Sequence, residues 1–153
     1  MVASTNAKNI PHRRKLMTKR YKPLVDRLFW FIWVPTLILM AAATVISAFD
    51  SLACFIMIPA DAFVLYFLIS PLFGYVELRE DTVFIKYGFF INREIPYGKI
   101  RDAYKKKSFI AETMLSLKNA IEHIEIKYNS YDVTAVSVVG NDDLLAEIKA
   151  RIK

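Results

Sequence analysis

Two long apolar runs, followed by a series of short alternating ones, divide this chain. Residues 28–48, LFWFIWVPTLILMAAATVISA, carry no charge over 21 positions. As a helix rising about 1.5 Å per residue, this run covers the roughly 30 Å hydrocarbon core of a bilayer. Residues 52–76, LACFIMIPADAFVLYFLISPLFGYV, form the second run, interrupted by Pro59, Asp61 and Pro71. An Asp near the centre of a span costs about 3 kcal/mol, and each Leu, Ile, Phe or Val returns about 0.3–0.6 kcal/mol. The twelve such residues from Leu52 to Phe73 outweigh it. Proline is tolerated in such a helix and can kink it. Only Phe49, Asp50 and Ser51 join the runs, which predicts a transmembrane helical hairpin. Its register stays open. A start at Leu52 puts Asp61 at mid-membrane, and a start at Ala62 puts it at the boundary.

Residues 77–153 change period. Val83, Ile85 and Tyr87 alternate with polar neighbours, and in Ile124-Glu125-Ile126-Lys127-Tyr128 the acid and the base are expected to point outward. Residues 133–139 are a further β-branched run. Turn signals fall at Glu80-Asp81-Thr82, Ile91-Asn92, Gly98, Asn129-Ser130 and Gly140-Asn141. Five to seven short antiparallel strands are expected. A closing helix follows, with Asn141 as its N-cap, Asp142 and Asp143 in its first turn, and Leu144, Leu145, Ile148 and Ile152 on one face. Strands followed by one amphipathic helix make an α+β domain, a bent antiparallel sheet or partial barrel capped by that helix.

Charge sharpens the division. The net +6 splits into +7 over residues 1–27, −2 over 28–76 and +1 over 77–153. The excess belongs to the N-terminal segment, which argues for a membrane protein with a basic flank and against a nucleic-acid partner. By the positive-inside rule residues 1–27 stay in the cytoplasm, and the hairpin returns the C-terminal domain to the same side. Three units follow: a basic segment 1–27, a hairpin 28–76 and a domain 77–153. Composition agrees, with 55% hydrophobic residues and a mean hydropathy of +0.29.

In the basic segment Met17, Tyr21, Leu24 and Leu28 are spaced for one helical face, weakened by Pro23. Arg13, Arg14, Lys15, Lys19, Arg20 and Lys22 are then candidate contacts to anionic lipid headgroups, or a topology signal only. In the domain, Arg101 with Lys105, Lys106 and Lys107 forms the strongest basic patch. It is a second candidate lipid contact, weighed against an ordinary solvated strand end. Asp61 is the intramembrane polar candidate. One Cys makes no intramolecular disulfide. Ser51-Leu52-Ala53-Cys54 is a poor lipoprotein box, given Asp50 before it and the apolar run after it. His12 and His123 have no second ligand near them in sequence, no nucleophile–base–orienter set is marked, and no glycine loop cradles phosphate. Neither cofactor, metal nor catalysis is expected.

Tyr75-Val76-Glu77-Leu78, Val83-Phe84-Ile85-Lys86-Tyr87-Gly88-Phe89-Phe90, Ile95-Pro96-Tyr97 with Ile100, and Leu115-Ser116-Leu117-Lys118-Asn119 before residues 124–128 together resemble bacterial pleckstrin-homology-like domains. The resemblance covers about residues 60–153. Where the family often has Ser-Pro before its last helix, Val138-Val139-Gly140 stands here. The resemblance implies a seven-stranded, strongly bent sheet closed by a helix, and a binding or scaffolding role rather than catalysis. Eukaryotic members often bind phosphoinositides through a basic first loop. The matching loop, Glu80-Asp81-Thr82, is acidic, so headgroup recognition is not carried over. Small membrane-anchored proteins of this kind are candidates for self-protection against cationic membrane-active bacteriocins. The expected partners are anionic lipid, with a bacteriocin peptide and a second copy of the chain as further candidates. The rival expectation is a membrane-tethered adaptor for another envelope protein or for copies of itself. A third is an enzyme or transporter component working through Asp61.

Overall fold

The computed structural model describes residues 18–110, 113 and 116–152. Helix α1, Arg27–Ser47, starts where the Asp26 carboxylate accepts the Phe29 amide at 3.1 Å. Helix α2, Ser51–Ile69, starts where Asp50 accepts the Leu52 and Ala53 amides at 2.9 and 3.3 Å. Each Asp occupies amides that the first helical turn leaves without partners. A single 3₁₀ turn, Ser70–Phe73, carries α2 into the domain. The spans Arg27–Ser47 and Leu52–Phe73 are long and apolar enough to cross a membrane, and only 6% of each is buried within the molecule. Neither helix is packed inside the domain core. α2 begins at Ser51, the register that sets Asp61 near its middle.

Among the described residues, eight strands form two four-stranded sheets. The first has the order β1-β2-β3-β4: Lys19–Tyr21, Tyr75–Leu78, Thr82–Lys86 and Asn92–Pro96, all antiparallel. The second has the order β5-β7-β8-β6: Ile100–Lys107, Glu122–Tyr128, Asp132–Val136 and Ser116–Leu117. Its β6–β8 pair is parallel. The expectation of one sheet of about seven antiparallel strands therefore meets two sheets, one parallel pair and a strand from ahead of the hairpin.

Period-two alternation places the core. Val76, Leu78, Val83, Ile85, Ile124, Ile126 and Val136 are fully buried between the sheets and helix α3, Asn141–Arg151. Leu144 and Ile148 of α3 are fully buried, with Leu145 and Ile152 packed at the edge, as the spacing predicts. Tyr87 and Thr134 join the two sheets by a hydroxyl–hydroxyl hydrogen bond of 2.6 Å.

Three local expectations are corrected. Residues 19–26 form no amphipathic helix: Lys19–Tyr21 is extended and pairs with β2, and Met17 lies outside the described residues. Asn141 does not cap α3. Its Oδ1 accepts the Val138 amide at 2.9 Å and its Nδ2 donates to the Glu122 carbonyl, while Gly140, at φ +88°, precedes the helix. Glu125 does not face water. It lies on the opposite face of β7 from Ile124 and Ile126, yet it is fully buried, as is Ala135 paired beside it. That second face is covered too.

Candidate membrane interface

Strand directions give the domain two ends. β2 leaves the hairpin at Tyr75, β3 returns to that end at Lys86, and β5 returns to it at Lys107. The turns at Glu80-Asp81 and Asn129-Ser130 lie at the far end.

Residues 19–26 lock this arrangement. β1 lies on the edge of the first sheet, and the chain then crosses to the second. The Leu24 amide donates to the Ser137 carbonyl at 2.9 Å, and the Asp26 amide to the Asn119 carbonyl at 3.1 Å. The Val139 amide donates back to the Lys22 carbonyl at 3.0 Å. α1 starts in the next residue, so the domain sits at the base of the hairpin without a slack linker.

The candidate lipid contacts separate. Arg13, Arg14 and Lys15 lie outside the described residues. Lys19 turns toward α3 and pairs with Asp143 at 2.5 Å, which raises the lysine's pKa and lowers that of the aspartate. The Arg20 guanidinium lies 3.4 Å from the Tyr75 ring centroid. Arg20 and Lys22 line a crevice with Leu72, Phe73 and Tyr75, at the foot of α2. Exposed Arg27 opens α1.

The lysine patch is internally paired. Lys105 contacts Glu122 at 2.7 Å and Asp142 at 2.8 Å, Lys106 contacts Glu125 at 3.0 Å, and Lys107 contacts Glu122 at 3.4 Å. Lys105, then Lys107, hold the Glu122 carboxyl below its usual range. Lys107 is the most exposed of the three, at 75%. Arg101 is exposed at the opposite end of β5, about 20 Å of strand away from Lys107, so the structure does not bring it into the patch.

Glu125 gathers a buried polar group that the sequence reading missed. Tyr104 donates to its Oε2 at 2.6 Å, Lys106 reaches its Oε1, and His123 Nε2 stands 3.5 Å from Oε1. His123 Nδ1 lies 2.9 Å from the Ile121 carbonyl. Burial pushes the Glu125 carboxyl up. Its hydrogen bonds with Tyr104 and Lys106, with the His123 ring beside them, outweigh burial and hold it below its usual range. The group is saturated by its own members and presents no nucleophile. Among the described residues no set of three His, Cys, Asp or Glu side chains is placed to hold a metal. No local pattern in the sequence marks it, because Tyr104 meets Glu125 only through the β5–β7 register.

In the hairpin, Thr44 of α1 donates to Asp61 Oδ2 of α2 at 2.5 Å. The Asp61 side chain borders a cavity of about 260 Å³ with Leu37, Met40, Ala41 and Leu65. The pair bridges the two helices, and among the described residues no basic side chain reaches it.

The profile described as Bacterial PH domain matches residues 74–152. No curated protein and no solved structure matches the chain. The matched region runs from the last residue before β2 through α3, spanning seven of the eight strands and the closing helix. With two strand-paired sheets, a buried interface between them and a C-terminal helix closing the core, the chain belongs to the bacterial PH domain family.

Proposed function

We propose that this chain is a non-enzymatic protein of the bacterial cytoplasmic membrane, with both ends in the cytoplasm, and that it protects its cell against cationic membrane-active bacteriocins. The observation that carries the membrane-held reading is the hydrogen-bonded passage from β1 through Asp26 into α1. It fixes the domain at the base of two helices long and apolar enough to span a bilayer. The basic flank supports a cytoplasmic placement. Arg20, Lys22 and Arg27 at that end each add about 1 kcal/mol of attraction to anionic lipid. Groups that occupy anionic lipid deny it to a cationic peptide. The protective use itself rests on the resemblance to small membrane-anchored proteins of this family.

A survival assay tests it. The chain is expressed in a sensitive bacterium and several types of cationic bacteriocin are titrated. Tolerance rising for one type is the expected result. A flat response with confirmed membrane expression overturns protection.

A second reading is a membrane-tethered adaptor. It is favoured by the internal pairing of Lys105, Lys106 and Lys107 and by Tyr131, which is 94% exposed at the end of the domain away from the hairpin. One dominant crosslinked protein partner, without any protective effect, would support it.

A further inference from the structure

Two turns at the hairpin end of the domain carry large apolar side chains where turns ordinarily carry polar ones. Between β3 and β4, Phe89, Phe90 and Ile91 are 41%, 81% and 49% exposed. After β5, Phe109 and Ile110 are 66% and 74% exposed. Each side chain lies outside the domain core, and each turn lies against a different helix of the hairpin.

The contacts fix their height. The Phe90 ring stacks on Tyr66 of α2 with centroids 6.2 Å apart and planes at 16°. Phe89 lies 6.1 Å from Tyr66 and 4.9 Å from Phe73. Tyr66 is seven residues before Phe73, the last residue of the apolar span, so the first turn reaches roughly 10 Å along the helix from that end. On the other side, Phe109 shares a crevice of about 280 Å³ with Leu28, Phe29, Ile32 and Trp33, the first two turns of α1. The two tips therefore straddle the hairpin, alongside segments that are themselves apolar and exposed. Arg20, Lys22 and Arg27 stand at the adjoining level, where phosphate groups would lie if the helices span. Aromatic rings below a cationic belt match the polarity gradient at the edge of a bilayer.

We infer that Phe89, Phe90 and Ile91, together with Phe109 and Ile110, enter the interfacial layer of the leaflet from which the hairpin emerges, so that the domain is seated in lipid at two points beside its helices. This rests on the reading of α1 and α2 as a membrane hairpin, and it adds that the domain is not suspended in water above it. The occupant of both tips is phospholipid, because the surface they share is continuous with the lipid-facing surface of the helices.

The test uses the full chain carrying Cys54→Ser, reconstituted in vesicles of phosphatidylcholine and phosphatidylglycerol. Single cysteines replace Phe90, Ile110, Ile38 or Tyr131 and carry an environment-sensitive fluorophore. Lipids with quenchers at shallow or deep positions, and iodide in the water, report location. Positions 90 and 110 should lose iodide quenching, shift to the blue and be quenched by the shallow lipid label. Position 131 should stay open to iodide, and position 38 should respond to the deep label. If 38 responds to the deep label while 90 and 110 remain as open to iodide as 131, the hairpin stands and the seated tips fall. If 90 and 110 are shielded from iodide without lipid quenching, protein covers them and the inference also falls. If 38 shows no deep quenching, the hairpin reading fails, and the inference fails with it.

Discussion

The Asp26 carboxylate serves two elements at once: one oxygen accepts the Phe29 amide and caps α1, and the other accepts the Ile121 amide at 2.9 Å, just ahead of β7. One short side chain thus clamps the first helix of the hairpin to the second sheet. Loss of a cap costs about 1 kcal/mol, and an amide left without its partner adds about 1 kcal/mol or more. Asp26→Ala should lower stability by about 2 kcal/mol, read from thermal unfolding in detergent. Asp26→Asn, which keeps an acceptor, should recover part of it. Equal losses in the two variants would show that the clamp depends on charge.

Glu125 makes the domain sensitive to acid. Its carboxyl is held below the ordinary value of about 4.3, so its contribution to stability is complete above that value and is lost as pH falls through the lower, folded value. Glu122 and Asp143, lowered by their lysine partners, act in the same direction. The melting temperature should fall as pH drops below about 4. Glu125→Gln should cost about 1–3 kcal/mol at neutral pH, since it leaves Lys106 facing a neutral partner. It should also flatten the acid limb. An unchanged acid limb in Glu125→Gln would assign the effect to the exposed carboxylates.

Neighbouring lysines on β5 should behave differently. Lys107 is largely exposed and its Glu122 contact is long at 3.4 Å, so Lys107→Gln should change stability by less than about 0.5 kcal/mol. Lys106 reaches a fully buried carboxylate, so Lys106→Gln should be measurably destabilising, by about 1–3 kcal/mol. Chemical denaturation of the two variants side by side checks the order. A membrane role for the patch is therefore best examined through Lys107, where loss of lipid binding is not confounded with loss of fold.

Gly88 seats the β3–β4 turn against the end of α2. A Cβ there would collide with the Ser70 Oγ and crowd the Ser70 carbonyl. Gly88→Ala should cost about 1–3 kcal/mol in thermal unfolding. Gly98→Ala, with open space around the added carbon, is the matched control and should leave stability within about 0.5 kcal/mol of the parent.

Much of the architecture was legible because the physics is local. An uncharged run of 21 residues reads as a helix wherever it sits, and the alternation at Val83, Ile85 and Tyr87 or at Ile124 and Ile126 reads as a buried strand face. What was not legible depends on partners far along the chain. Lys19–Tyr21 is three residues long and basic at two of them, and its partner lies at Val76–Leu78, on the far side of both helices. Ser116–Leu117 is shorter still, and its parallel pairing with Ala135 and Val136 leaves no periodic mark. Alternation puts Glu125 on the correct face but in the wrong environment, since it reports which side a residue points to and not whether that side is covered. In the candidate interface, the basic residues are legible through their charge. The apolar doublets at Phe89-Phe90 and Phe109-Ile110 were equally visible, as hydrophobic residues placed where the chain turns.

The pairing of Lys19–Tyr21 with β2 also orders the life of the chain on the ribosome. The edge strand is made first, yet the strand it must join emerges only after both apolar helices have been synthesised. Until then its hydrogen-bonding groups wait unpaired. If only one of the two helices crossed, strand and partner would be left in different compartments and the first sheet would lose its edge. If α1 and α2 span a bilayer as proposed, closing the first sheet therefore requires that both helices have crossed.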